Sequence, residues 1–241
     1  MAERLIVALD VPTIAAADKI VADLDGTVSF FKIGLWLAFA EGVDGLIKRL
    51  IEANKRIFLD AKMFDIGQTV EEGVKRAADR GVSFVTVHGD AQIIRSAVKG
   101  KRDSGGDIKI FAITVLTSLS TDDLKAMGYA CSAQELIQLR VTEAIKHGCD
   151  GIIASAHDDP DNIRRIAGAS SLLIATPGVR SAGEPTHDHK RLATPAEAIA
   201  KGADYLVVGR SIIAGSEAPK PAAQRIIREM MEGDERRRSG M

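Results

Sequence analysis

Eight short apolar runs, at residues 5–9, 29–33, 56–59, 84–87, 108–115, 151–154, 171–175 and 205–208, recur along the 241-residue chain. Amphipathic segments at 14–24, 36–53, 70–80, 91–99, 133–147, 163–167 and 196–201 fill the intervals between them. Strands that are apolar throughout, rather than alternating, are buried on both faces, as parallel strands are when helices cover the sheet on each side. A βα unit repeated eight times over about 215 residues predicts an α/β chain closed into a single (β/α)8 TIM barrel. An open doubly wound sheet is the competing topology, but no GxGxxG follows the first run and no GxxxxGK[ST] occurs anywhere. The barrel domain is expected to span residues 1–241, with a C-terminal helix and a short charged tail from about 232 that ends in solvent.

Charge and cysteine content exclude several classes. With 32 basic and 33 acidic residues the net charge is -1, so there is no overall field to recruit nucleic acid or a membrane surface. Cys131 and Cys149 form no CxxC or Cys/His cluster. Two such thiols read as core residues in a reducing compartment, without structural zinc. The start, MAERLIVALD, lacks the apolar stretch of a signal peptide, and no apolar run approaches 18 residues. A cytoplasmic protein is expected.

Polar residues collect where these runs end. Asp10 closes the first, Lys32 lies near the end of the second, and Asp60 and Lys62 follow the third. His88 follows the fourth, Thr114, Thr117 and Ser118 the fifth, Pro177 to Arg180 the seventh, and Gly209 with Arg210 the eighth. Barrel enzymes carry their chemistry on the rim at the carboxyl ends of the strands, and these positions form one such rim. Its densest part is FLDAKMFDIGQT at 58–69, with Asp60, Lys62 and Asp65. Period two sends Asp60 and Lys62 to the same side of a strand. Two readings stand for charges paired at the end of an apolar run: a structural ion network or an active site.

Val208-Gly209-Arg210-Ser211 runs from a strand into a short helical stretch, where free N–H groups can meet an anion. Arg180, in TPGVR, can add a charge-assisted contact, and both lie where barrels commonly hold phosphate. The alternative is a pair of solvated loop arginines. The stretch 180–190, RSAGEPTHDHK, is longer than an ordinary βα-loop and reads either as a lid or as an exposed loop. His187 and His189 within it lack the carboxylate spacing of a metal site. His88 reads as ordering the rim, and Trp36 as packed.

On ALD ending at Asp10, FKIG at 31–34, LDAKMFDIGQT at 59–69, LTS at 116–118, TPGVR at 176–180, KRLATP at 190–195 and VVGRSI at 207–212, the chain resembles the orotidine 5'-monophosphate decarboxylases over nearly its full length. The DxK pair is shared with related barrel enzymes such as 3-keto-L-gulonate 6-phosphate decarboxylase. The IGxT continuation, here with Gly67 and Thr69, favours the nucleotide decarboxylase.

The resemblance implies cofactor-free, metal-free loss of CO2 from orotidine 5'-monophosphate to give UMP. Lys62 would stabilise and protonate the C6 carbanion. Lys32, Asp60, Lys62 and Asp65 would form an alternating charge array, with Asp60 first positioning Lys62. Asp65 and Thr69 would reach the neighbouring subunit's site, implying a homodimer. Asp10 and Lys32 would hold ribose hydroxyls, Thr117 and Ser118 the pyrimidine edge, and Pro177, Arg180, Gly209 and Arg210 the phosphate end. His189 stands where the family has Gln, and an imidazole can still donate to phosphate. The other readings are a Mg²⁺-dependent sugar-phosphate decarboxylase or aldolase, for which Lys32-Ile33-Gly34 offers no acidic ligand, and a non-catalytic phosphate-binding barrel.

Overall fold

Eight parallel strands close on themselves in sequence order, so each strand pairs with the one before and after it and the first pairs with the last. They are β1 (Leu5–Ala8), β2 (Phe30–Gly34), β3 (Arg56–Met63), β4 (Phe84–His88), β5 (Lys109–Ile113), β6 (Gly151–Ile153), β7 (Leu173–Pro177) and β8 (Tyr205–Val208). The helices are α1 (Ile14–Asp23), α2 (Leu35–Ala38), α3 (Val43–Glu52), α4 (Gly67–Asp79), α5 (Ala91–Ser104), α6 (Thr121–Ala126), α7 (Ala133–Lys146), α8 (Pro160–Arg165), α9 (Pro195–Ala200), α10 (Arg210–Ile213) and α11 (Pro219–Ser239). The computed structural model describes residues 1–156, 158, 160–166, 168–182 and 193–239. The single (β/α)8 barrel expected from the alternation of runs is the observed fold.

Several helices begin where the sequence supplies a cap. Ser120, Ser132 and Thr194 each accept the N–H of the residue three positions on, and Asp123, Glu135 and Glu197 return the bond to the cap's own N–H. These reciprocal pairs satisfy N–H groups that the first helical turn leaves without partners.

Apolar side chains divide into two sets because successive strand residues point to opposite faces. One set lies between strands and helices, and includes Leu5, Val7, Phe31, Ile57 and Val85. The other fills the barrel interior: Ile6, Ala8, Phe30, Phe58, Phe84, Phe111, Ala175 and Val207. Phe84 touches Phe30 at 4.9 Å, Phe111 at 4.5 Å and Tyr205 at 5.2 Å between ring centroids. At the end of the barrel where the strands begin, the Arg56 guanidinium lies 4.1 Å from the Phe30 ring centroid and 5.0 Å from that of Phe84. A cation seated on ring faces closes this end of the core, and the polar residues follow at the other end of the same strands.

Three expectations are corrected. The segment 36–53 is not one helix but two, because Gly42 adopts a left-handed conformation (φ 89) and starts α3 afresh after α2. Trp36 is not packed: it is 60% exposed, with Leu35 and Phe39 also exposed beside it. The charged run from 232 does not leave the C-terminal helix, since α11 continues through it to Ser239, while residues 235–239 are exposed as expected. Gly233 is buried, and a Cβ there would meet the Ala196 carbonyl at 2.3 Å. Asp234 pairs with Arg4 at 2.9 Å and with Arg238 at 2.8 Å, and these bonds lower its pKa. The Arg4 guanidinium also donates to the Asp204 and Ala203 carbonyls, so α11 is tied to the seam where the first and last strands begin.

Replacing Arg56 with Ala should remove the aromatic-seated cation and lower unfolding stability by about 1–2 kcal/mol, read from the urea midpoint. The rim at the opposite end should keep its geometry.

Candidate active site

Strand periodicity brings the charged residues inward above the aromatic layer. Phe30 and Lys32 share a face of β2, Phe58 and Asp60 share a face of β3, and Phe84 and Thr86 share a face of β4. Lys32 is buried, with its ammonium 3.0 Å from Asp10 Oδ1 and 3.3 Å from Asp60 Oδ2. Lys62 donates to the same Asp60 Oδ2 at 2.8 Å. Charges therefore alternate Asp10, Lys32, Asp60, Lys62 from one strand end to the next.

Asp60 is the hinge of that series. Burial pushes its pKa up, but the charges of Lys32 and Lys62 and hydrogen bonds from Lys62 and Thr86 outweigh it, and the net shift is downward. Thr86 is fully buried, and its hydroxyl donates to Asp60 Oδ1 at 2.9 Å. Glycine at position 34 makes room for the neighbouring pair, since a Cβ there would stand 2.7 Å from Asp10 Oδ1 and 3.2 Å from Lys32 Nζ.

The local path of β3 differs from simple alternation. Leu59 pairs with Val85 and Met63 with Val87, so Asp60, Ala61 and Lys62 stand opposite Thr86 alone. Lys62 takes a left-handed backbone conformation (φ 47) inside this bulge, and its N–H is bound by Thr86 Oγ1 at 2.9 Å. Asp60 and Lys62 do meet, as expected from the sequence. They meet because the chain turns at Lys62, not because a regular strand carries both to one face.

A cavity of about 240 Å³ opens above the array. Asp10, Lys32, Asp60 and Lys62 line one side, and Thr117, Pro177, Arg180, Gly209 and Arg210 complete the polar wall. Phe58, Ile113, Val115, Ile153 and Val207 supply the apolar wall. Ser118 lies in the adjoining cleft with Thr117, Ser155 and Gly178. Arg180 is buried and donates to the Val179 carbonyl at 2.8 Å. Asp65 and Thr69 stand exposed outside the cavity, Asp65 accepting the Ile66 N–H at 2.6 Å. Within one chain the fourth member of the alternating series is thus Asp10 and not Asp65. His187, His189 and most of the 180–190 stretch lie outside the described residues.

Two positioning side chains went unremarked in the sequence. Thr86 is one; a threonine in an apolar strand looks like an ordinary β-former, and its inward position in register with Phe84 is the available signal. Arg140 of α7 is the other. It is buried, donates to the Thr114 carbonyl at 2.6 Å and reaches Asp90 at 3.4 Å and the Tyr129 hydroxyl at 3.3 Å. It thereby joins the rim segments that follow β4 and β5. His88 sits on that rim with Nδ1 3.4 Å from Asp90 and its ring 4.8 Å from that of Phe64.

Cys149 is a core thiol that burial pushes up to about 12, donating to the Ile110 carbonyl, whereas Cys131 is only half-buried. Among the described residues no group of three or more His, Cys, Asp or Glu side chains is placed to hold a metal ion. No described helix is long and apolar enough to cross a membrane.

Residues 3–226 match the model of the orotidine 5'-phosphate decarboxylase / HUMPS family. The chain is 48% identical over 228 residues to the orotidine 5'-phosphate decarboxylase of Afipia carboxidovorans, covering 95% of this chain and 94% of that protein. It is 46% identical to that of Nitrobacter winogradskyi, with 95% and 92% covered. The crystal structure of orotidine 5'-phosphate decarboxylase from Lactobacillus acidophilus superposes with a TM-score of 0.82 at 34% identity, over 95% of this chain and 99% of that one.

The lowered pKa of Asp60 has a direct consequence for stability. Its contribution is complete above the ordinary carboxylate value of about 3.9 and is lost as pH falls through the depressed folded value. Compared with Asp60→Asn, the unmodified protein should therefore lose additional stability as pH falls below about 4, measured as the difference in thermal midpoints above and below that pH.

Proposed function

The chain belongs to the orotidine 5'-phosphate decarboxylase / HUMPS family and is a carboxy-lyase that converts orotidine 5'-monophosphate to UMP in pyrimidine biosynthesis, and on that premise we propose that Lys62 carries the chemical step. The observation that supports this reading most strongly is the contrast between the two lysines. The Lys32 side chain is 10% exposed and held between two carboxylates, whereas that of Lys62 is 43% exposed, faces the cavity and has Asp60 as its carboxylate partner in the chain. Lys32 is confined between two carboxylates, and Lys62 is the more accessible of the two to a ligand in the cavity.

In the proposed step the C6–carboxylate bond breaks, CO2 leaves and its electron pair stays on C6 in an orbital the ring does not delocalise. The Lys62 ammonium offsets that charge and then transfers its proton to C6, leaving a neutral amine that regains a proton from water. No electron-sink cofactor enters this scheme. Asp60 orients Lys62, and it stands where the departing carboxylate would be repelled. Asp10 and Lys32 hold the ribose hydroxyls, and Thr117 and Ser118 the pyrimidine edge. Arg180, Gly209 and Arg210 take the phosphate with Pro177 beside them. Binding energy gathered at the phosphate, remote from the reacting carbon, organises the site for the transition state. The apolar wall of Ile113, Val115 and Ile153 suits the loss of charge as carboxylate becomes CO2.

The working form is proposed to be a homodimer in which Asp65 and Thr69 complete the partner's site. Leu35, Trp36, Phe39, Phe64 and Ile66 are all more than half exposed, on the segments that follow β2 and β3. Such a group of large apolar side chains at a rim is what a second copy would cover. Near-zero net charge and two thiols fit a cytoplasmic setting.

Incubation with orotidine 5'-monophosphate in excess EDTA should release CO2 and UMP, and Lys62→Ala should lower turnover by at least about a thousandfold while phosphate-end affinity persists. Surviving turnover in that variant would overturn the role given to Lys62. Mixing inactive Lys62→Ala chains with Asp65→Ala chains should restore activity, because a hybrid dimer contains one site with both residues intact; no recovery after subunit exchange would argue against the shared site.

A further inference from the structure

Asp60 has two carboxylate oxygens, and they are used differently. Oδ2 lies between two ammonium groups, Lys62 at 2.8 Å and Lys32 at 3.3 Å, while Oδ1 takes the Thr86 hydroxyl at 2.9 Å. Two lysines on one oxygen do not by themselves fix the rotation of the carboxylate plane. A directed bond on the other oxygen does.

The Thr86 hydroxyl is committed at both ends. A backbone N–H can only donate, so the hydroxyl oxygen accepts from Lys62 N at 2.9 Å and its single hydrogen goes to Asp60. The side chain is fully buried, so water has no room to replace it. It also stands alone opposite the three residues of the bulge, where Lys62 holds a backbone conformation that side-chain-bearing residues adopt reluctantly. An unusual backbone conformation persists only where its surroundings impose it, and the bond to the Lys62 N–H is such a constraint.

We propose that Thr86 is a positioning residue for the decarboxylation, its hydroxyl holding the Lys62 backbone and the Asp60 carboxylate in one arrangement so that the ammonium is aimed before substrate arrives. The inference rests on the reading of Lys62 as proton donor, and it adds to that reading a residue that touches no substrate. The charged groups facing Asp60 are Lys32 from β2 and Lys62 from β3, with Asp10 behind Lys32; His88, two residues along β4 from Thr86, is engaged with Asp90.

The test is a comparison of Thr86→Val, which keeps the shape and removes the hydroxyl, with Thr86→Ser, which keeps the hydroxyl, alongside Lys62→Ala. In Thr86→Val, kcat should fall roughly 10- to 100-fold while KM stays within about twofold, because aim is lost and binding is not. The acid limb of its kcat/KM profile should move to higher pH, since Asp60 loses one of the bonds that lower its pKa. Amide exchange at Lys62 should accelerate. Thr86→Ser should return all three readouts close to the unmodified values. Should Thr86→Val fail to fold by circular dichroism, Thr86→Ala carries the same expectations.

A kcat for Thr86→Val within about twofold of the unmodified enzyme, or equal losses in the Val and Ser variants, would overturn the inference. If at the same time Lys62→Ala is inactive, the Lys62 reading stands without it. If Lys62→Ala retains turnover, both fall together.

Discussion

One carboxylate shared among three donors governs the geometry of this molecule's rim. Asp60 is largely withdrawn from solvent at the end of an apolar strand, a place where a lone charge would be costly, and it is held there by Lys32, Lys62 and Thr86 from three adjacent strands. Each of those donors is in turn fixed by something else. Lys32 is anchored by Asp10, whose position depends on the absence of a side chain at Gly34. Lys62 is anchored through its own backbone. The array is consequently a property of the closed barrel, because its members come from the segment after β1, from β2 and from the bulge of β3, with Thr86 of β4 behind them.

The barrel brings these groups together by stacking layers. Arg56 on its aromatic seat closes one end, the phenylalanines of β2 to β5 fill the middle, and the charges occupy the next inward positions. A dry, well-packed layer directly beneath the charges matters electrostatically, since fields between them are less screened than they would be in water. The same layer excludes water from one side of the cavity. Arg140 does comparable work from outside the strands, joining the segments after β4 and β5 on the same rim.

Much of this was legible in the chain itself. Apolar runs gave the strands because burial on both faces leaves no room for alternation, and strand ends gave the rim because parallel order puts all carboxyl ends together. The bulge in β3 was not legible: residues 60–63 contain no glycine or proline to announce it, and the left-handed residue is the lysine itself. Local preference would place glycine or asparagine there, so position 62 is where chemistry overrides backbone preference. Trp36 was misread because the sequence of one chain does not distinguish a side chain packed in its own core from one left on the surface. That α11 runs on through Gly233 and Asp234 was not legible because a mixed charge run resembles a loose end until partners such as Arg4 and the Ala196 backbone are seen across the fold. His189 and its neighbours lie outside the described residues, and the resemblance alone speaks to them.

β3 begins with Arg56 on the aromatic rings and carries Lys62, its penultimate residue, in the charge array, so a single eight-residue strand is fastened near both tips. Sliding it by one residue would withdraw the guanidinium from its seat and pull Asp60 from between its lysines in the same movement. Such a strand has no low-cost partial displacement, and the site has no independent way to loosen. On heating, loss of the catalytic geometry and collapse of the barrel should therefore coincide, and the enzyme should inactivate as one cooperative event without a preceding range of warm, folded but idle protein.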